Sequence, residues 1–214
     1  IERAKQSAAV KAIREEQPEQ KDVHEGLVSI KPGDGAVVAL YGGEDFAERQ
    51  LDNATQAKVH AGSTAKSIAA LQSGDASTRT RFPGYSPQFF DEFADPNGAT
   101  ENLRRGRVKN FGDESFGTID LLKATKNSVN TVYAELNILA GPENTMKAAQ
   151  DAGVRSKLEP NMANVLGTDY VTVMDMANAY ATIAAQGVRS DPYLVKQIGF
   201  TDKTLPTIKA EPKT

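Results

Sequence analysis

Two sets of apolar runs broken by turn residues stand near opposite ends of the chain, and most of what lies between them reads as helix. That arrangement restricts the fold more than any other feature. Gly26-Leu27-Val28-Ser29-Ile30 and Ala36-Val37-Val38-Ala39-Leu40-Tyr41 flank a Lys31-Pro32-Gly33-Asp34-Gly35 turn, and Gly42-Gly43 closes the second run. A β-hairpin is expected there. Tyr193 to Phe200, Thr201-Asp202-Lys203 and Thr204 to Ile208 repeat the pattern as a second hairpin. Strands this far apart, joined by helices, imply an α+β fold whose sheet is assembled from distant parts of the chain.

The intervening elements follow from spacing and punctuation. Ala4, Ala8, Ala9, Ala12 and Ile13 recur at helical intervals, so an amphipathic helix is expected from Glu2 to Glu16, ended by Gln17-Pro18. Residues 80–117 are rich in Gly, Pro, Asn, Asp and aromatics, with Arg104-Arg105-Gly106-Arg107 in the middle. They read as a long irregular insertion, of a length that is usually functional. Thr118 is expected to cap a helix from Ile119 to Thr125, and a second helix runs from Thr131 to Leu139 after the break at Asn127-Ser128-Val129-Asn130. Pro142 opens a helix that Gly153 stops. Thr172-Val173-Met174-Asp175 is a capping-box variant opening a helix that Gly187 ends.

Ser63-Thr64-Ala65-Lys66 stands where the Ala61-Gly62 turn opens into a helix. It places a potential nucleophile and a potential base about one helical turn apart on one face. An ordinary helix start would carry an acid at the position of Lys66. A cation there is disfavoured by about 0.3–1 kcal/mol, and the same field favours the neutral amine, which can accept a proton. The spacing alone decides nothing. Eleven serines and fifteen lysines make about one Ser-x-x-Lys expected by chance, and a serine cap beside a solvated lysine explains it equally. Ser128-Val129-Asn130 alone reads as a turn bonding its own backbone, with Lys123 and Lys126 on a solvated face, and the Arg104–Arg107 cluster reads as an exposed loop.

Composition narrows the chemistry. The 214 residues are 39% hydrophobic and 25% charged, enough to bury a core. A net charge of −3 gives no general attraction to nucleic acid or anionic membrane. With no cysteine and only His24 and His60 as histidines, no metal site and no cofactor are expected. Both termini look cut, so the chain is read as a piece of a longer protein.

Ser-x-x-Lys followed by Ser-x-Asn is the order found in penicillin-binding proteins and class A β-lactamases, where Lys-Thr-Gly completes the set. Here the first two stand 65 residues apart, one at a helix start and one between helices. The chain resembles the transpeptidase domain of a class A (bifunctional) penicillin-binding protein. The match runs from Glu25 to Gly43, through Asp45-Phe46, Asn53 to Gln56 and Ala61 to Lys66. It continues in Gly117 to Thr125, Asn127 to Tyr133, Gly167 and Val171 to Ala181. Departures are Ala65, where a bulky aromatic is usual, and Ser67, where a proline is usual. The stretch from Lys66 to Ile68-Ala69-Ala70-Leu71 looks about three residues short, which turns a helix by roughly 60°. Lys-Thr-Gly is absent, since Lys213-Thr214 is not followed by glycine.

The resemblance implies a penicillin-binding protein/β-lactamase-like fold, an antiparallel sheet with helices plus an all-helical subdomain, present here in part. It divides the chain into an N-terminal helix and hairpin (1–60), a helical subdomain with the nucleophile helix (61–190) and a returning hairpin (191–214). The implied activity is D,D-transpeptidation of D-Ala-D-Ala stem peptides of peptidoglycan. Ser63 acts as nucleophile, Lys66 as base, Ser128 as proton relay and Asn130 as the holder of the donor's amide. β-Lactams would acylate Ser63. The implied setting is the extracytoplasmic face of a bacterial cell membrane, with an anchor and a glycosyltransferase upstream, and with cell-wall synthesis or division proteins as partners. A β-lactamase or D,D-carboxypeptidase, and an inactive peptidoglycan-binding scaffold, are the alternatives.

Overall fold

Leu27–Ile30 (β1) and Val37–Tyr41 (β2) pair antiparallel, as expected from two apolar runs flanking a turn, with a register shift between Ser29 and Ile30. The computed structural model describes residues 1–20, 22–45, 47–69, 78–201 and 206–210. Phe46, Ala70-Leu71 of the shortened stretch, Asp202-Lys203 of the expected turn, Thr204 of the run after it and Lys213-Thr214 lie outside the described residues. Ahead of the hairpin, Arg3–Glu16 form α1, and later elements follow in order. These are Val59–His60 (β3), Ala65–Ala69 (α2), Arg81–Pro83 (β4), Gln88–Phe89 (β5), Glu101–Arg104 (α3), Arg107–Val108 (β6) and Thr118–Asp120 (β7). Leu121–Lys126 (α4), Asn130–Ala140 (α5), Pro142–Ala152 (α6), Tyr170–Val171 (β8), Val173–Ala184 (α7), Gln197–Ile198 (β9) and Ile208–Lys209 (β10) complete the set.

The chain folds as two compact units. One contains residues 1–59, 151–156 and 171–214; the other contains 60–150 and 157–170.

In the first unit, α1 docks on β2 through polar groups as well as alanine. Gln6 behaves like a residue of a neighbouring strand. Its Nε2 donates to the Leu40 carbonyl at 2.8 Å, and its Oε1 accepts the Leu40 N–H at 2.9 Å. The Glu2 N–H bonds the Val38 carbonyl, while Gly35 O and Val37 N bond Tyr193 in a parallel bridge. That bridge is where the distant end of the chain meets the hairpin. Among the described residues the second hairpin is β9 against β10, with Ile208 opposite Ile198 and Lys209 opposite Gln197.

Helix α7 packs on β1 and begins with the full capping box expected from its sequence. Thr172 accepts the Asp175 N–H, and Asp175 accepts the Thr172 N–H and hydroxyl. Asp175 is 5% exposed and also accepts from the Arg155 N–H and the Ser156 hydroxyl. Burial pushes its carboxyl up, but the bonds from Ser156, Arg155 and Thr172 outweigh that and hold it below the ordinary carboxylate value. Gly153, at φ +114° just past α6, stops that helix as expected.

The second unit is built on α5, which buries Thr131, Val132, Tyr133, Ala134, Leu136 and Asn137. Phe82, Ile119, Leu121, Ala124, Val129 and Val165 join Val132, Tyr133 and Leu136 in one apolar core. Two expectations change here. The segment 80–117 is not structureless, because β4 pairs with β7 and β5 with β6, both antiparallel. The helix after Gly117 starts at Leu121 rather than Ile119. Thr118 lies in β7, and Asp120 is the cap, its carboxylate accepting the Lys123 N–H. A buried polar network ties α5 to Pro142, Thr145, Met162 and Asn164. Asn137 donates to Met162 O and Asn164 Oδ1 and accepts from the Thr145 hydroxyl, and Asn164 donates to Pro142 O. Among the described residues no helix is long and apolar enough to cross a membrane.

Candidate active site

The nucleophile position sits in a short 3-10 turn, Gly62–Thr64, and α2 begins one residue later at Ala65. Thr64 fastens the turn by donating its hydroxyl to the Ala61 carbonyl. The segment 167–169 runs alongside. The Gly62 N–H donates to Gly167 O at 3.0 Å, the Ala61 N–H to Asp169 O at 3.2 Å, and His60 Nδ1 lies 2.6 Å from Thr168 O. Ser63 is exposed, whereas Lys66 is 3% exposed.

Ser63, Ser128 and Asn130 converge on the amine of Lys66, the fourth residue singled out from the sequence. Its Nζ lies 2.9 Å from Ser63 Oγ, 2.8 Å from Ser128 Oγ, 3.0 Å from the Ser128 carbonyl and 2.6 Å from Asn130 Oδ1. Tyr133 places its ring centroid 6.0 Å away. Burial lowers the Lys66 ammonium from its ordinary 10.5 to about 8. The helix end invoked from the sequence is not the leading cause.

Counting hydrogens shows what this cluster can do. Ser128 O and Asn130 Oδ1 can only accept, so they take two amine hydrogens. A neutral amine then has its lone pair left for a hydroxyl of Ser63 or Ser128. A protonated amine has one hydrogen left for the same two oxygens. Protons can therefore pass between Lys66 and these two serines alone within the cluster. The turn is held by its backbone. Ser128 adopts a left-handed backbone at φ +53°, its N–H bonds Thr125 O, and the fully buried Val129 returns its N–H to Ala124 O.

Sequence reasoning missed the supports. Lys109 and Asn110, inside the segment taken as irregular, bond Asn130 and Thr131 from 21 residues away. Tyr133 bonds Thr125 at 2.7 Å across the foot of the turn. Among the described residues no group of three or more His, Cys, Asp or Glu side chains could hold a metal ion.

A family model, the penicillin binding protein transpeptidase domain, matches residues 26–213. The chain belongs to this family. Relatives of the transpeptidase domain include penicillin-binding protein 1A of Mycolicibacterium smegmatis, 32% identical over 90% of this chain, and that of Mycobacterium tuberculosis, 31% identical over 92%. The chain spans about a quarter of the length of those relatives, 25% and 24%. Among solved structures, the penicillin-binding protein PonA1 from Mycobacterium tuberculosis superposes with a TM-score of 0.75 at 28% identity, over 97% of this chain and 53% of that one. The PonA1 complex with penicillin V gives the same TM-score and identity, over 96% and 53%. The transpeptidase fold expected from the sequence is therefore the fold of this chain, with small antiparallel pairs among its helices.

Proposed function

We propose that this chain carries the nucleophile centre of a peptidoglycan D,D-transpeptidase that works through an acyl-serine intermediate and is acylated by β-lactams. The observation that carries this reading is the Lys66 amine held between the hydroxyls of Ser63 and Ser128 at 2.9 and 2.8 Å. Ser63 attacks the carbonyl of the penultimate D-Ala while its proton passes to neutral Lys66. The resulting oxyanion needs backbone N–H donors, one of them from Ser63 itself. As the tetrahedral intermediate collapses, the peptide C–N bond breaks. Ser128 relays the proton from Lys66 to the departing D-Ala amine, leaving an ester on Ser63. An amine from a second stem peptide then attacks the ester, gives up its proton along the same path and frees the Ser63 hydroxyl. Asn130 spends one amide hydrogen on Lys109 O and has the other for a carbonyl of the donor peptide.

Both units are read as parts of one transpeptidase domain. The setting that fits this chemistry is the extracytoplasmic face of a bacterial membrane, where peptidoglycan lies, with an anchor and a glycosyltransferase carried outside residues 1–214. Cell-wall synthesis or division proteins are the natural partners.

A fluorescent penicillin tests the reading. Covalent label is expected on Ser63 in the native protein and is expected to vanish in Ser63→Ala. Label that persists in that variant, or no label on the wild type, overturns it. Transfer of the acyl group to an added amine, measured against its release to water, separates transpeptidation from simple hydrolysis.

A further inference from the structure

The first N–H groups of a helix have no partners within it, and a Ser, Thr, Asp or Asn at the cap usually supplies one. Helix α5 lacks such a residue. Its cap position is Val129, with no side-chain acceptor, and the preceding Ser128 points its hydroxyl at the Lys66 amine, 2.8 Å away. The missing acceptor comes from Asn110. Its Oδ1 takes the Thr131 N–H at 3.0 Å and the Thr131 hydroxyl at 3.2 Å. Its Nδ2 donates to Gly84 O at 3.2 Å and Glu114 O at 2.9 Å, and its backbone N–H donates to Ser86 Oγ at 3.1 Å. Both donors and both acceptor positions of the amide are used, and the residue is 2% exposed.

The neighbouring residue completes a clamp. The Lys109 carbonyl accepts from Asn130 Nδ2 at 2.8 Å. A carbonyl can only accept, so it fixes which end of the Asn130 amide faces it. Oδ1 is thereby turned to Lys66 at 2.6 Å. Consecutive residues Lys109 and Asn110 thus hold consecutive residues Asn130 and Thr131.

We propose that Asn110 is a positioning residue for acyl transfer: it caps α5 from a distant segment, which leaves the Ser128 hydroxyl free for Lys66 and keeps Asn130 against the same amine. The inference rests on the reading of Ser63 and Lys66 as the reacting pair. Asn110 itself touches neither of them. Without its amide the Thr131 N–H is left unpaired in a buried place, and Ser128 stands three residues before it, the spacing at which a serine hydroxyl accepts a helix N–H. A hydroxyl drawn to the helix is a hydroxyl lost to Lys66, and the loosened turn admits water to the amine.

The test measures acylation by a fluorescent penicillin in the native protein, per labelled site, from about pH 6 to about pH 10. Asn110→Ala is expected to slow acylation about tenfold or more and to move the midpoint of the pH profile upward, towards an ordinary lysine. Thr131→Val, which removes one of the two bonds to Oδ1, is expected to move both in the same direction by about threefold in rate. A purely structural role would lower the number of labelled sites and leave the rate per site and the midpoint unchanged. Rates and midpoints equal to wild type in both variants overturn the proposal; if Asn110→Ala does not fold, Thr131→Val decides alone. Wild type that takes no label refutes the transpeptidase reading instead. The titration of the Lys66 amine followed by NMR in wild type and Thr131→Val then still tests the clamp, and an unmoved midpoint overturns it.

Discussion

A Cβ on Gly167 would stand 2.0 Å from the carbonyl oxygen of Gly62 and 2.2 Å from its nitrogen. The backbone that leads into Ser63 therefore occupies the place of a side chain at position 167, and φ of +77° there is a second reason for glycine. Gly167→Ala must displace one segment or the other. Because the atoms met are backbone, the expected cost is about 1–3 kcal/mol in stability, with a loss of penicillin acylation of about tenfold or more. Chemical unfolding together with labelling kinetics checks both. An alanine variant that acylates normally would show that Ser63 is not placed by this contact.

Acylation should depend on pH through Lys66. With its ammonium lowered to about 8, the neutral amine that accepts the Ser63 proton accumulates as pH rises through that value. The acylation rate is expected to climb with pH and level off above it. A rate independent of pH between about 6 and 9 would remove Lys66 as the base.

The same group makes stability depend on pH. The folded state holds Lys66 at about 8 against 10.5 in the unfolded chain, so between those values the unfolded state binds more protons and stability rises with pH. Below about 8 the burial of an ammonium costs up to about 3 kcal/mol relative to the neutral amine. Lys66→Met removes that charge. Its advantage over wild type in urea unfolding is expected to be larger at neutral pH than near pH 10. A constant difference across that range would mean the amine is not buried as described.

Asp175 gives the same sign in the acid range, because its folded value is also lowered. Its folded value lies below the ordinary carboxylate value of 3.8, so its contribution is complete above that value and is lost as pH falls through the folded one. Asp175→Asn replaces an acceptor of four hydrogen bonds with a group that can accept fewer. A loss of about 2–3 kcal/mol at neutral pH is expected, together with a flatter acid limb in a plot of unfolding midpoint against pH. Equal acid sensitivity in the variant and wild type would assign that limb to other carboxylates.

What could be read from the sequence divides by the range of the interactions involved. Thr172 and Asp175 stand three residues apart and satisfy each other, so their capping box shows in the sequence itself. Ser63, Lys66, Ser128 and Asn130 stand out through two local spacings taken together in the order a known family shows, and the structure gathers the other three around the Lys66 amine. The strands β4 to β7 were invisible, because two or three residues are too few to display alternation. Thr118 was misread as a cap because nothing local tells it from Asp120, which pairing with β4 leaves at the strand's end. Asn110 could not be seen at all. Its partners are Gly84, Ser86, Glu114 and Thr131, and no pattern of neighbouring residues encodes them.

Gln6 has a consequence of another kind. An exposed strand is an invitation to intermolecular pairing, since its unpaired amides can template a strand from a second molecule. On β2 that row is already taken, with Leu40 spoken for by Gln6, Val38 by Glu2 and Val37 by Tyr193. One carboxamide on a helix thus serves as a blunt stop against sheet-to-sheet aggregation. Exchanging it for an apolar residue would reopen the ladder at its middle.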